Sequence, residues 1–225
     1  MILIFDLDDT LYEERSYVDS GLRAVAQFGA EEFGWDAGIS FAFMTQVLET
    51  EGRGRIFDLW LEYYGRKTAG LVKECVRIYR HHLPNIRLST ETEHILSKLV
   101  QVAPLYVVTD GHKVAQSRKV EALRLDRYVQ KSYITHRYGV RNAKPSVHCF
   151  DLIRRRERRD WQDMLYVGDN PRKDFVNIRK CGMTTVRVLT GCYRDLVVPE
   201  EYDADFSIEN LGALLPLLWD RRLVP

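Results

Sequence analysis

The 225-residue sequence predicts an α/β protein with a parallel sheet and a separate block of helices inserted after its first strand. Three observations predict it. An apolar run at residues 2–5 ends abruptly in acidic residues, residues 14–86 show helical periodicity, and from residue 90 strand-like and helix-like segments alternate. Strands alternating with helices imply parallel pairing, with helices covering both faces of the sheet.

In chain order, Ile2-Leu3-Ile4-Phe5 reads as a buried strand that delivers carboxylates at its C-terminal edge. Four amphipathic helices follow. Tyr17, Leu22, Val25 and Phe28 mark the first, Phe41, Met44 and Val47-Leu48 the second. Ile56-Phe57, Trp60-Leu61 and Tyr64 mark the third, and Leu71-Val72, Cys75-Val76 and Ile78-Tyr79 the fourth. Gly34, Gly52-Arg53-Gly54 and Gly65 punctuate them, and Pro84 marks the exit. Thr90-Glu91-Thr92-Glu93 is a capping-box signature for a helix through Leu99. Strands are expected at 105–108, near 132–134, at 164–167 and at 185–188. Helices are expected over about 112–123, 145–155, 172–180 and 210–219. The domains implied are a core of 1–13 with 87–225 and a helical segment of 14–86.

Composition narrows the class. The chain is 45% hydrophobic and 29% charged, as in ordinary globular proteins, and long enough to bury a core without staples. A formal net charge of +1 gives no field favouring nucleic acid or an anionic membrane. Cys75, Cys149, Cys181 and Cys192 are scattered without a CxxC pair, which argues against a disulfide framework or a zinc site. The short apolar start lacks a basic flank and is too short for a signal peptide or a membrane span, and no lipidation signal is visible. The expectation is therefore a cytoplasmic protein. The run Arg154-Arg155-Arg156-Glu157-Arg158-Arg159 reads as a solvated helix end.

Three expected strands end in polar residues that share a theme. Asp6, Asp8 and Thr10 follow the first, Thr109-Asp110-Gly111 the second, and Gly168-Asp169-Asn170 a later one, with Lys144-Pro145 at an expected helix start between the last two. In open parallel sheets, sites form outside the C-terminal strand edges. Crowded carboxylates need a cation, and hard oxygen ligands suit magnesium, which prefers to share phosphate oxygens. A carboxylate such as Asp6 can attack phosphorus covalently. A second, Asp8, on the same strand face, can protonate the leaving oxygen. A lysine and a hydroxyl can bind the oxygens of the transferring group.

Asp6-x-Asp8-x-Thr10, Thr109, Lys144 and Gly168-Asp169-x4-Asp174 together resemble the four motifs of the haloacid dehalogenase-like (HAD) superfamily, in order and over nearly the whole chain. The resemblance implies a Rossmann-like core with a helical cap inserted after the first motif. It implies Asp6 as nucleophile, forming an aspartyl-phosphate, and Asp8 as general acid/base. Thr109 and Lys144 would bind phosphate, with backbone contacts from Asp110 and Gly111. Asp6, Asp8 (through its carbonyl), Asp169 and Asp174 would hold Mg2+. Asp9 and His112 are expected to serve the turn and the helix start. Dehalogenase members lack an acid two residues after the nucleophile, so Asp8 points to a phosphatase. P-type ATPases need membrane spans, phosphonatases a Schiff-base lysine that neither Lys67 nor Lys73 is marked to be, and receivers carry their aspartate on the third strand. A sugar mutase and a non-catalytic scaffold remain alternatives. The implied substrate is a small soluble phosphate ester, a phosphosugar (acylneuraminate phosphates included) ahead of a nucleoside monophosphate. Tyr12, Arg15 and Arg53 are the candidate leaving-group contacts, and the sequence does not specify an oligomeric state.

Overall fold

The computed structural model describes residues 1–223. The chain divides into two compact units: Met1–Glu14 with the chain from Arg87 onward, and Arg15–Ile86.

The first unit is built on a six-stranded, all-parallel sheet: β1 (Ile2–Phe5), β2 (Leu105–Thr109), β3 (Lys131–Ile134), β4 (Met164–Gly168), β5 (Thr184–Val188) and β6 (Phe206–Ile208). Their spatial order is β3-β2-β1-β4-β5-β6, so the direction of winding reverses beside β1. All four residues of β1 are buried, and because successive side chains point to opposite faces, both faces are covered. On one face Ile2, Ile4, Tyr106, Val108 and Tyr166 pack against Cys149, Phe150 and Ile153 of the helix His148–Glu157 and Ile178 of the helix Val176–Lys180. The register sets Phe5 beside Val107 on one side and Val167 on the other, and the Asp6 amide donates to the Val167 carbonyl at 2.8 Å. The three chain segments that leave β1, β2 and β4 therefore emerge side by side at one edge.

The second unit holds the four expected helices: most of α1 (Glu14–Phe33), then α2 (Ala37–Glu51), α3 (Ile56–Tyr63) and α4 (Ala69–His81). Asp36 caps α2 through the Ile39 amide and Thr68 caps α4 through the Leu71 amide. Trp60 is fully buried, edge-on to Trp35, which stacks on Tyr64.

In the first unit, α5 (Thr90–Leu99) is capped by Ser89, whose Oγ accepts from the Thr92 amide, so the cap lies one residue ahead of the expected Thr90 box. α6 spans Lys113–Ala122. α7 (His148–Glu157) starts three residues later than expected. The 143–146 segment instead closes a turn, with the Ser146 amide donating to the Ala143 carbonyl, and a residue before proline is biased away from helix. α8 is only Val176–Lys180, because residues 170–174 form a turn in which the Asp174 amide donates to the Asn170 carbonyl. α9 is Leu214–Asp220, preceded by a 3-10 turn at Leu211–Ala213. The edge strand β6 was not anticipated; three residues after the acidic 203–205 stretch carry too little periodicity to announce it. All four cysteines are free thiols, Cys75 and Cys149 buried and Cys192 exposed. No helix among the described residues is long and apolar enough to cross a membrane.

Candidate active site

Asp6 is the first residue beyond β1 and is buried. Its Oδ1 pairs with Lys144 Nζ at 2.9 Å, and the same ammonium pairs with Asp174 Oδ1 at 2.8 Å. Lys144 Nζ also donates to the Tyr166 hydroxyl at 2.9 Å. The turn at 143–146 holds this lysine, and its amide donates to Asp110 Oδ1 at 3.0 Å. Carboxylate oxygens of Asp6, Asp169 and Asp174 lie within 4.8 Å of one another, and all three residues are buried.

The electrostatics follow from that crowding. Burial, with the Asp174 charge, outweighs Lys144 and pushes Asp6 up to about 6. Burial, then Asp6 and Asp174, push Asp169 up to about 9. Burial alone would lower Lys144, but Asp174 and Asp6 hold it well above the ordinary lysine value. Asp6, Asp169, Asp174 and Asp110 thus face two lysines, the enclosed Lys144 and the half-buried Lys173, and the excess of acids is what a divalent cation would neutralise. Buried hard oxygen donors in this arrangement fit magnesium.

Asp8 stands apart from this group. β1 ends at Phe5, and the chain then turns, with Thr10 and Leu11 amides both donating to the Leu7 carbonyl. Asp8 is therefore not on a strand, and the expected shared strand face does not apply to it. Both of its carboxylate oxygens accept from Lys119 Nζ, at 2.7 and 2.8 Å. Gln116 Nε2 donates to Oδ2 at 2.8 Å and the Tyr12 hydroxyl to Oδ1 at 2.5 Å. Burial would raise the Asp8 pKa, but Lys119, with Tyr12 and Gln116, holds it below the usual carboxylate range. That direction favours the ionised form of Asp8.

Thr109 ends β2 and is buried. Asp110 Oδ1 accepts from Thr135 Oγ1 at 2.6 Å and Oδ2 from Lys173 Nζ at 3.2 Å. Burial is outweighed there by Lys144 and Lys173, which hold Asp110 below its ordinary value. Its carboxylate therefore ties the ends of β2 and β3 to the Lys144 turn and the Lys173 segment. Gly111 takes a φ of +136°, and its missing Cβ leaves room for the Gln116 side chain. Asp174 Oδ2 accepts from the Asn170 amide at 2.9 Å. Asp9 takes a φ of +51°, accepts from the Glu14 amide, and its carbonyl accepts from Thr190 Oγ1.

Of the candidate leaving-group contacts, Tyr12 has its hydroxyl on Asp8. Arg15 and Arg53 belong to the helical unit. Arg15 pairs there with Asp19 at 2.8 Å and Glu49 at 3.3 Å. Arg53 lines a cavity of about 210 Å³ with Phe57, Val72, Val76, Tyr79 and Arg80. Sequence reasoning missed Gln116, Lys119, Thr135, Tyr166 and Lys173. Each sits inside a helix, strand or turn with ordinary local pattern, and only its hydrogen bonds or ion pairs disclose it. Lys119 carried the one available signal, a lysine on the helix stripe that should be apolar.

Comparisons with known proteins agree with this architecture. The glyceraldehyde 3-phosphate phosphatase of Methanocaldococcus jannaschii is 26% identical over 229 residues, covering 96% of each chain. A putative HAD-hydrolase, YfnB from Bacillus subtilis, solved with magnesium bound, superposes with a TM-score of 0.69 at 19% identity over 96% of this chain and 97% of that one. A 2-haloacid dehalogenase from Pseudomonas syringae gives 0.67 at 22% identity over 98% and 100%. The family model of haloacid dehalogenase-like hydrolases matches residues 3–188, and with the strand order and the Asp6–Lys144–Asp174 cluster already described, the chain belongs to that family.

Proposed function

We propose that the protein is a magnesium-dependent phosphatase acting on a small phosphosugar through an aspartyl-phosphate on Asp6. The observation that carries the reading is the buried Asp6 carboxylate held by Lys144 beside Asp169 and Asp174. Asp8 supports phosphate ester chemistry over dehalogenation, because a halide leaves without a proton whereas an alkoxide does not.

Asp8, whose ionised form Lys119 favours, takes a proton from solvent as the ester binds. Asp6 then attacks phosphorus as the bond to the leaving oxygen breaks, and Asp8 passes that proton to the oxygen. Water then attacks phosphorus, its proton passes to Asp8, and the bond to Asp6 breaks. The ionised form that Lys119 favours is the one that accepts that second proton. Thr109 and Lys144 hold the phosphoryl oxygens, and Lys144 also sets the direction of the Asp6 carboxylate. Asp6, Asp169 and Asp174 would hold the metal, with Asp8 through its carbonyl. Magnesium, when bound, neutralises phosphate charge so that a carboxylate can approach. We assign choice of leaving group to the helical unit, with Arg15 and Arg53 as its candidate cations.

The names of the curated relatives make triose phosphates the first substrates to test. Phosphate release is to be measured from glyceraldehyde 3-phosphate, other sugar phosphates, nucleoside monophosphates and an aryl phosphate. Release should require Mg2+, fall to background in Asp6→Asn, and be blocked by beryllofluoride or vanadate. No turnover across that panel sinks the enzyme reading; preference for nucleotides sinks the phosphosugar assignment alone.

A further inference from the structure

Three donors converge on Asp8, and two of them come from one helix. Gln116 and Lys119 are three residues apart on α6, so they share a face one turn apart. Both are almost wholly buried, at 3% exposure each. Lys119 bonds both Asp8 oxygens, Gln116 bonds Oδ2, and Gln116 Nε2 also donates to the Asp110 carbonyl beside Gly111. A Cβ at Gly111 would lie 2.8 Å from Gln116 Nε2, so the glycine is what lets the amide reach across. Lys119 also lies 3.6 Å from Glu14.

A buried ammonium is expensive to desolvate unless it is paired, and a hydrophobic residue would pack this face of α6 at less cost. A lysine and an amide that together saturate one carboxylate are explained by the orientation they impose. A carboxylate carried on a turn can rotate about two side-chain bonds, and proton transfer needs it in one of those orientations.

We propose that Lys119 and Gln116 are positioning residues for proton transfer: they fix the plane and direction of the Asp8 carboxylate from helix α6. The proposal rests on the reading that Asp8 moves the leaving-group proton. Neither side chain is assigned any contact with substrate or metal. The ordering of the two is set by their bonds: Lys119 holds both oxygens and Gln116 one, so Lys119 has the larger effect.

The test compares kcat and KM for an alkyl phosphate and an aryl phosphate in Lys119→Met, Lys119→Arg, Asp8→Asn and the double variant Lys119→Met/Asp8→Asn, alongside thermal melts. General acid–base assistance contributes roughly 10²–10⁴-fold, and it matters most for the poor alkoxide leaving group. Lys119→Met is expected to lower kcat for the alkyl ester by about 10²-fold, within that range, and for the aryl ester much less, with KM little changed. Arginine should restore part of the loss, and the double variant should be no slower than Asp8→Asn alone, since the two act as one unit. Equal losses on both substrates, or losses that multiply in the double variant, overturn the proposal. If Asp8→Asn itself slows both substrates alike, the reading of Asp8 as proton carrier fails first. Should Lys119→Met not fold, Lys119→Arg and Gln116→Met carry the same comparison. A leaving-group-selective loss in either supports the proposal, and an unselective one overturns it.

Discussion

Gly168 closes β4 with no side chain, and the Asp174 carboxylate occupies the space a side chain would need. A Cβ there would sit 2.6 Å from Asp174 Oδ2 and 3.1 Å from the Tyr166 ring. Asp174 cannot retreat, because Oδ1 is paired with Lys144 at 2.8 Å and Oδ2 accepts from the Asn170 amide at 2.9 Å. Gly168→Ala is therefore expected to displace Asp174 and, through Lys144, the direction of Asp6. A misplacement of about 1 Å can cost around 10²-fold in rate. The expected outcome is a kcat lower by about that factor and a raised Mg2+ requirement, read from activity against metal concentration. An unchanged Mg2+ requirement would show that Asp174 does not hold the metal. At this scale the sequence spoke clearly where a residue ends a strand: Asp6, Thr109 and Asp169 stand where the apolar pattern breaks. It was silent about Tyr166, whose ring satisfies the apolar pattern of β4 while its hydroxyl serves Lys144.

Helix α1 shows how packing overrides propensity at the scale of an element. A glycine inside a helix ordinarily costs about 1 kcal/mol relative to alanine, so Gly29→Ala should stabilise. In this helix a Cβ at Gly29 would meet Trp60 Cζ2 at 2.7 Å and Trp35 Cε3 at 3.0 Å. Trp60 is fully buried, and Trp35 is held against Tyr64 with ring centroids 4.0 Å apart, so neither ring has room to yield. Overpacking costs about 1–3 kcal/mol, which exceeds the propensity gain. Gly29→Ala is expected to lower the melting temperature by a few degrees, measured by circular dichroism; a higher one would mean the rings re-pack freely. The four helices were legible because their apolar stripes are long. The starts of α7 and α8 were not, because the bonds that delay them, from Ser146 to Ala143 and from Asp174 to Asn170, belong to the site's own turns. β6 was illegible for another reason: three residues at a sheet edge take their conformation from pairing with β5, not from any pattern of their own.

For the whole molecule, the acid cluster predicts a stability that depends on pH and, through the proposed magnesium site, on metal. Asp6 and Asp169 are raised from 3.8 to about 6 and about 9, by burial first and by their acidic neighbours second. In the unfolded chain these carboxyls ionise near pH 4, while the metal-free folded state keeps its protons to higher pH. The folded state then binds more protons than the unfolded one, so its stability falls as pH rises from about 4 towards 9. Asp8 and Asp110 are lowered and act oppositely, but their stabilisation is gained below about pH 5 and is constant above it. Lys144, raised well above its ordinary value, is charged in both states throughout this range. Between pH 5 and 9 the raised pair therefore governs. Magnesium held as proposed would bind the ionised carboxylates, so its stabilising effect should grow as the protons it displaces become easier to remove. At a concentration about 100 times its dissociation constant, a ligand that binds only the folded state contributes about 2.7 kcal/mol. Thermal melts in EDTA should show the midpoint falling from pH 5.5 to pH 8, and the gap opened by Mg2+ widening over the same interval. A gap that is constant or narrows with pH would mean that the metal is held by groups other than Asp6 and Asp169.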